Sequence, residues 1–214
     1  MAPLGAGPER RAGPRCGSQI AVGKCGQAVP AVRSGSSTLG GGVTLPDHLR
    51  EGLKILFVGL NPSQYSAEVG HYFANPRNRF WPAFNLSGLV TRKVTSEEDA
   101  TLLGDGIGFT DVAKRPTPMG SGLRAADFRQ WAPVLKDKII RYSPKLVCFH
   151  GLMAYKAYLQ HGEGVKEQAQ LGLQQRTIGF SAVFVVPNPS PANAKYSLND
   201  LAEWYGRLRE FSQQ

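Results

Sequence analysis

The chain has 214 residues, 42% hydrophobic and 19% charged, enough apolar material for one globular domain with a core of its own. Its formal charge of +9 and pI of about 9.7 favour a polyanionic partner, because each phosphate contact releases counterions. Cys16, Cys25 and Cys148 are too few and too scattered for a disulfide framework or an iron–sulfur site. The four histidines, His48, His71, His150 and His161, show neither HxxxH nor HExxH spacing, and no apolar run approaches the ~20 residues that span a bilayer. These exclusions predict a metal-free protein of a reducing compartment, with no membrane span.

Residues 1–44 are rich in Gly, Pro, Ser and Ala, and Glu9 is their only acid beside Arg10, Arg11, Arg15, Lys24 and Arg33. So few large apolar side chains cannot offset the entropy of ordering, so a disordered basic tail is expected here. Its composition suits a solvated extension, a DNA tether or an organelle-targeting segment. The folded domain is expected over residues 45–214.

From Leu45 onward, short apolar runs alternate with amphipathic stretches. Lys54–Gly59 reads as a strand buried on both faces. Arg79–Leu89 reads as a helix turning Phe80, Phe84 and Leu86 inward. A longer helix is expected over Ala125–Tyr142, with Phe128, Trp131, Leu135 and Ile139 three or four apart and Pro144 as its stop. Lys145–His150 reads as a second buried strand, closed by Gly151 and followed by a helix through Leu159. Arg176–Phe180 and Ala182–Val186 are expected to pair as a hairpin around Gly179-Phe180-Ser181, and Leu198–Phe211 is the last helix. Strands alternating with helices predict an α/β fold with a mainly parallel sheet covered on both faces. Ligands bind such sheets beyond the carboxyl ends of their strands, which selects the loops starting at Asn61 and at Pro187. No GxxxxGK[ST] or GxGxxG phosphate loop follows the first strand.

The first loop reads GLNPS from Gly59 to Ser63, then GHYFANPRNRFW from Gly70 to Trp81. A middle segment reads GIGFTDVAKRPTP from Gly106 to Pro118, and the second loop reads VPNPSPANAK from Val186 to Lys195. Together these segments resemble the mismatch-specific uracil/thymine-DNA glycosylase family, within the uracil-DNA glycosylase superfamily, over about Lys54 to Phe211. The resemblance implies a three-layer α/β/α sandwich. It also implies a monofunctional, metal- and cofactor-free enzyme that flips uracil from DNA, G·U mismatches included, and hydrolyses its N-glycosidic bond. Its expected partner is DNA containing uracil or related damaged bases. A monomer is expected, in a bacterial cytoplasm or nucleoid or else in a nucleus or organelle, and not secreted.

The resemblance assigns Asn61 to the catalytic asparagine, whose amide does not titrate but can orient a water beneath the sugar C1′. Backbone amides around Pro62 to Ser66 would then serve the leaving uracil anion. Phe73 matches the aromatic that stacks on the flipped base, with Tyr72 able to exchange roles with it. Leu60, Ser63 and Ser66 join it as base-pocket residues, and Ser63, where relatives carry glycine, narrows the pocket against a thymine methyl. Phe80 and Trp81 read as core aromatics. Asp111 stands where relatives place lysine or asparagine, and serves either as general base, as acceptor for the base N3–H, or as a structural partner of Lys114 or Arg115. Thr117 matches a position that helps hold the water, or is a turn threonine.

Asn188, Ser190, Ala192, Asn193 and Lys195 match the loop that enters the duplex. The tip lacks a large wedge, which predicts a looser opposite-base requirement or activity on single strands. Two other readings compete: a glycosylase of this fold that prefers hypoxanthine, xanthine or etheno adducts, and a catalytically weak damaged-DNA-binding module.

Overall fold

The computed structural model describes residues 44–213, and the expected tail, apart from Thr44, lies outside them. Five strands form one sheet in the order β2-β1-β3-β5-β4. The central strands β1 (Ile55–Gly59), β2 (Ile107–Asp111), β3 (Leu146–His150) and β5 (Ala182–Val186) are parallel, and β4 (Gly172–Leu173) is antiparallel at the edge. Every residue of β1, β2 and β3 is buried, as a parallel sheet covered on both faces requires.

Alternation along the strands divides the interior into two cores. Ile55, Phe57, Phe109, Cys148 and Phe184 face one side and pack against α2 (Phe80–Ser87) and α5 (Leu198–Ser212) through Phe80, Phe84, Leu201, Tyr205 and Leu208. Leu56, Val58, Val147, Phe149 and Val183 face the other side, against α3 (Ala125–Tyr142) and α4 (Leu152–Tyr158), through Leu135, Ile139, Tyr155 and Tyr158. This is the three-layer α/β/α sandwich. Of the shorter helical pieces, α1 (Gln64–Val69) and a 3-10 turn over Ser96–Leu103 lie between β1 and β2.

Three local readings change. Arg176–Phe180 is not a strand: the arm antiparallel to β5 is Gly172–Leu173, and only Ile178 bridges to Ser181 around the Gly179-Phe180 turn. Phe180, at the tip of that turn, is 97% exposed, so the apolar run there does not alternate inward. Leu86 points outward at 61% exposure, because two residues beyond Phe84 is roughly 200° around a helix. β2 escapes a reading by apolar runs, since Gly108, Thr110 and Asp111 interrupt it, yet it pairs with β1 along its full length.

Candidate active site

The carboxyl ends of β1, β2, β3 and β5 bring Gly59, Asp111, His150 and Val186 to one edge of the sheet, in register as Gly59–Asp111 and His150–Val186. A cavity of about 460 Å³ opens there, lined by Leu60, Asn61, Ser63, Ser66, Tyr72, Phe73, Asp111, Thr117, His150, Asn188, Ser190 and Ala192. Beyond the strands, the first loop and the segment after β2 remain zipped. Val112 and Ala113 N–H donate to the carbonyls of Gly59 and Leu60, Thr117 N–H to Pro62 O and Gln64 N–H to Thr117 O. A Cβ at Gly59 would collide with Asp111 Oδ1, so a larger residue there would displace the Asp111 carboxylate.

That zipper fixes Asn61. Its Nδ2 has three acceptors within reach of its two hydrogens: Pro62 O at 3.0 Å, Arg115 O at 3.0 Å and Thr117 Oγ1 at 2.7 Å. Carbonyls can only accept, so the nitrogen must face them and the carbonyl Oδ1 is the end left for a ligand or water. Thr117, 3% exposed, thus orients Asn61.

Ser63 caps α1: its Oγ accepts from Ser66 N at 3.0 Å and lies 3.0 Å from Ser66 Oγ. Ser66 Oγ in turn accepts from Ala74 N at 3.2 Å, so both hydroxyls hold the turn while lining the cavity. Gln64 and Ser66 amides are committed within the protein, while those of Ser63 and Tyr65 have no partner among the described residues.

Phe73 is set by the turn before it. Asp99, buried in the 3-10 turn, accepts from Tyr72 N at 2.7 Å and lies 3.2 Å from His71 Nδ1. Trp81 Nε1 donates to the Tyr72 carbonyl at 2.9 Å. Phe73 then adopts φ of +53°, a left-handed conformation that costs a bulky residue on the order of 1–3 kcal/mol and persists only where the surroundings enforce it. Its ring stacks on Phe80 with centroids 4.2 Å apart and 19° between planes, and meets His150 edge-on at 5.0 Å. With one face backed by Phe80, the other is the face that can receive a base.

Asp111 is 5% exposed, and its Oδ2 accepts no hydrogen bond. Burial pushes its carboxyl up to about 7; Lys114 opposes the shift and Asp47 adds to it. His150 makes a contrasting wall. Its Nε2 lies 3.0 Å from Tyr205 Oη, and burial pushes it down to about 3, so the ring is neutral at neutral pH. The Val58 carbonyl opposes that shift without reaching hydrogen-bond geometry, and Nδ1 is left without a partner.

The second loop is held by its own backbone and by Arg79. The Arg79 guanidinium donates to Ser190 O at 2.9 Å, Asn193 O at 2.7 Å and Tyr196 O, and Arg79 N–H reaches Pro189 O. Asn188 Oδ1 accepts from Ser190 N and Asn193 Nδ2 donates to Asn188 O, closing the turn internally. Asn188, Ser190 and Ala192 line the cavity. Asn193 and Lys195 do not; Lys195 is exposed, its Nζ 5.5 Å from the Tyr196 ring centre. Sequence reasoning gave no role to Arg79 or His150. Arg79 is signalled only by lying inside the FANPRNRFW block, and His150 by being a polar end to an apolar strand.

Among the described residues, no three His, Cys, Asp or Glu side chains gather as a metal site, and no helix is long and apolar enough to cross a membrane. The sequence matches the model of the uracil DNA glycosylase superfamily over residues 46–209. The fold is similar to the solution NMR structure of a candidate uracil DNA glycosylase from Methanosarcina acetivorans. That match has a TM-score of 0.52 at 24% sequence identity and covers 80% of this chain and 98% of that one.

Proposed function

The chain belongs to the uracil DNA glycosylase superfamily, and from that membership we propose that it removes uracil from DNA, G·U pairs included, by hydrolysis without a metal or cofactor. The observation that carries this reading is Asn61: its nitrogen is taken up by protein acceptors, its Oδ1 has no hydrogen-bond partner among the described residues, and it lines the same cavity as Phe73. The base leaves the duplex, stacks on the open face of Phe73 and presents its glycosidic bond to Asn61. Stacking contributes about 1–3 kcal/mol toward an extrusion that costs a few kcal/mol.

Asn61 Oδ1 accepts a hydrogen bond from a water and holds it beneath C1′. As the C1′–N1 bond breaks, its electron pair stays on the uracil, and the amide of Ser63, which lines the cavity, is available to that anion. The water adds to C1′ and its proton passes to the ionised Asp111 carboxylate, leaving an abasic site. Action on a single protomer inside a bacterial cell, or in a nucleus or organelle, completes the proposal.

The test is a set of oligonucleotides with uracil opposite G, opposite A or unpaired, thymine opposite G, hypoxanthine, and ethenocytosine, each treated with alkali after incubation. Scission at uracil is expected to exceed that at thymine. No scission on any substrate would overturn the reading.

A further inference from the structure

Behind Asp111 lies a largely buried carboxylate, Asp47, that the chemistry of base excision does not use. Asp47, just before the sheet, accepts from Thr110 Oγ1 at 2.7 Å, from Lys138 Nζ at 2.5 Å and from Lys114 Nζ. Lys114 is 7% exposed, and its Nζ also reaches Leu45 O and Tyr72 Oη, each at 3.2 Å. The Tyr72 hydroxyl gives its own hydrogen to Pro46 O, so towards Lys114 it accepts.

An ammonium has three hydrogens. Asp47, Leu45 O and Tyr72 Oη take all three. Asp111 Oδ2 stands 3.8 Å from the same nitrogen, close enough to feel the charge and without a hydrogen left for it. A lysine bound directly to Asp111 would hold the carboxyl ionised through a hydrogen bond, and an absent lysine would leave a buried carboxyl with no cation beside it.

Resting on the glycosylase reading of this cavity, we propose that Asp47 and Lys114 are a positioning pair for Asp111. Asp47 holds the ammonium one step short of the catalytic carboxylate, which receives its field while Oδ2, itself buried, accepts no hydrogen bond from it.

The electrostatics of the cluster agree. Burial alone would raise Asp47, yet Lys114 and Lys138 outweigh it and hold that carboxyl below its ordinary range. Asp111 faces Lys114, Asp47 and the un-ionised Tyr72 phenol. His48, which burial pushes below the usual histidine range, and the Asp99–His71 pair stand beyond Tyr72. Lys138, its side chain 30% exposed, has Asp47 as its one ion-pair partner among the described residues, so it acts on Asp111 at one remove.

The experiment is a carboxyl titration of the free full-length protein by carbon-13 NMR, with the Asp111 resonance assigned by its loss in Asp111→Asn. Asp47→Asn releases Lys114 towards Asp111 and is expected to lower the midpoint by at least one pH unit, a tenfold change in proton affinity. Lys114→Met is expected to raise it by a similar factor. Lys138→Gln, at a partly exposed lysine whose loss leaves the buried pair intact, should raise it by less. This variant keeps the test available if Asp47→Asn does not fold. A midpoint unmoved in all the variants that fold, or raised by Asp47→Asn, would overturn the proposal. The titration needs no turnover, so it stands or falls apart from the glycosylase reading. The kcat/KM profile of the same variants, tracking the carboxyl or not, tests Asp111 as the base.

Discussion

The two loops that frame the cavity are built by opposite means. In the Gly59–Trp81 segment, side chains are locked: Asn61 by three acceptors, Phe73 by the Phe80 stack and by a backbone turn fastened to Asp99. In the Pro187–Tyr196 segment it is the backbone that is fastened, through carbonyls gathered on Arg79, while Pro191, Ala192, Ala194 and Lys195 stay exposed. Transition-state stabilisation needs side-chain groups preset to a fraction of an ångström. Contact with a long polyanion needs only a rigid platform with exchangeable tips. The first loop is therefore expected to carry rate, and the second to carry the choice of DNA context.

The sharpest way to break that contrast is Asn61→Ala. Losing one preset group at the reacting centre is expected to lower kcat by roughly 10²–10³-fold. Affinity for uracil-containing DNA, measured by anisotropy, should stay within a few-fold. A variant at near-normal single-turnover rate would move the chemistry out of this loop.

Asp111→Asn comes next. With Asp111 as base, wild-type kcat/KM rises with pH and levels off above about 7, the range to which burial lifts the carboxyl. The variant should lose that limb and about 10²-fold in rate at pH 8, the low end of what a positioned base contributes. Stability moves the other way. The unfolded carboxyl ionises near 4 and the folded one near 7, so between those values the unfolded state has lost a proton that the folded state still holds. Stability from this group therefore falls as pH rises from about 4 to about 7 and stays low above. Asp111→Asn should raise Tm at pH 8 and much less at pH 4. His150 has the reverse sign: folded near 3 and unfolded near 6.5, it removes stability as pH falls through that window.

What the sequence disclosed, and what it withheld, follows the same division. Buried strands such as Lys54–Gly59 and Lys145–His150 announce themselves by unbroken apolar runs, and Ala125–Tyr142 by its helical stripe, because burial dictates residue type. β2 stayed hidden because its membership rests on backbone pairing with β1 and its own residues include Gly108, Thr110 and Asp111. In the site, Asn61, Phe73, Asp111 and Thr117 were legible from motif resemblance, and the structure brings all four to one cavity. Arg79 and Lys114 were not legible as tethers, since their partners are backbone carbonyls or residues 42 to 117 positions away, a distance that spacing arguments do not cross. Asn193 and Lys195 matched the motif, yet lie outside the cavity lining.

Arg79→Met tests whether the second loop depends on its tether. The variant keeps the stem of the side chain and removes the guanidinium bonds to Ser190, Asn193 and Tyr196. Misplaced groups cost up to ~10²-fold in rate, and roughly tenfold is expected here for duplex substrates. Single strands, which need no gap filled, should be affected less. Faster hydrogen exchange confined to residues 190–196 would locate the cause in the loop. Equal losses on both substrates would mean that Arg79 acts on the base pocket itself.

The smallest expected effect is at Lys195, and it decides what the exposed tip reads. Its ammonium rests near the Tyr196 ring and lies outside the cavity lining, a position suited to a phosphate. Lys195→Ala should then weaken binding evenly across opposite bases and reduce the slope of log affinity against log salt by about 1. A lysine that instead probed the orphaned base would show the loss mainly opposite guanine, whose O6 and N7 accept, with a smaller change opposite adenine. The salt series on G·U, A·U and unpaired uracil separates the two. An even loss keeps opposite-base selection out of this side chain and leaves it to the rigid backbone around Ser190 and Ala192, whereas an uneven one makes the second loop a reader of sequence after all.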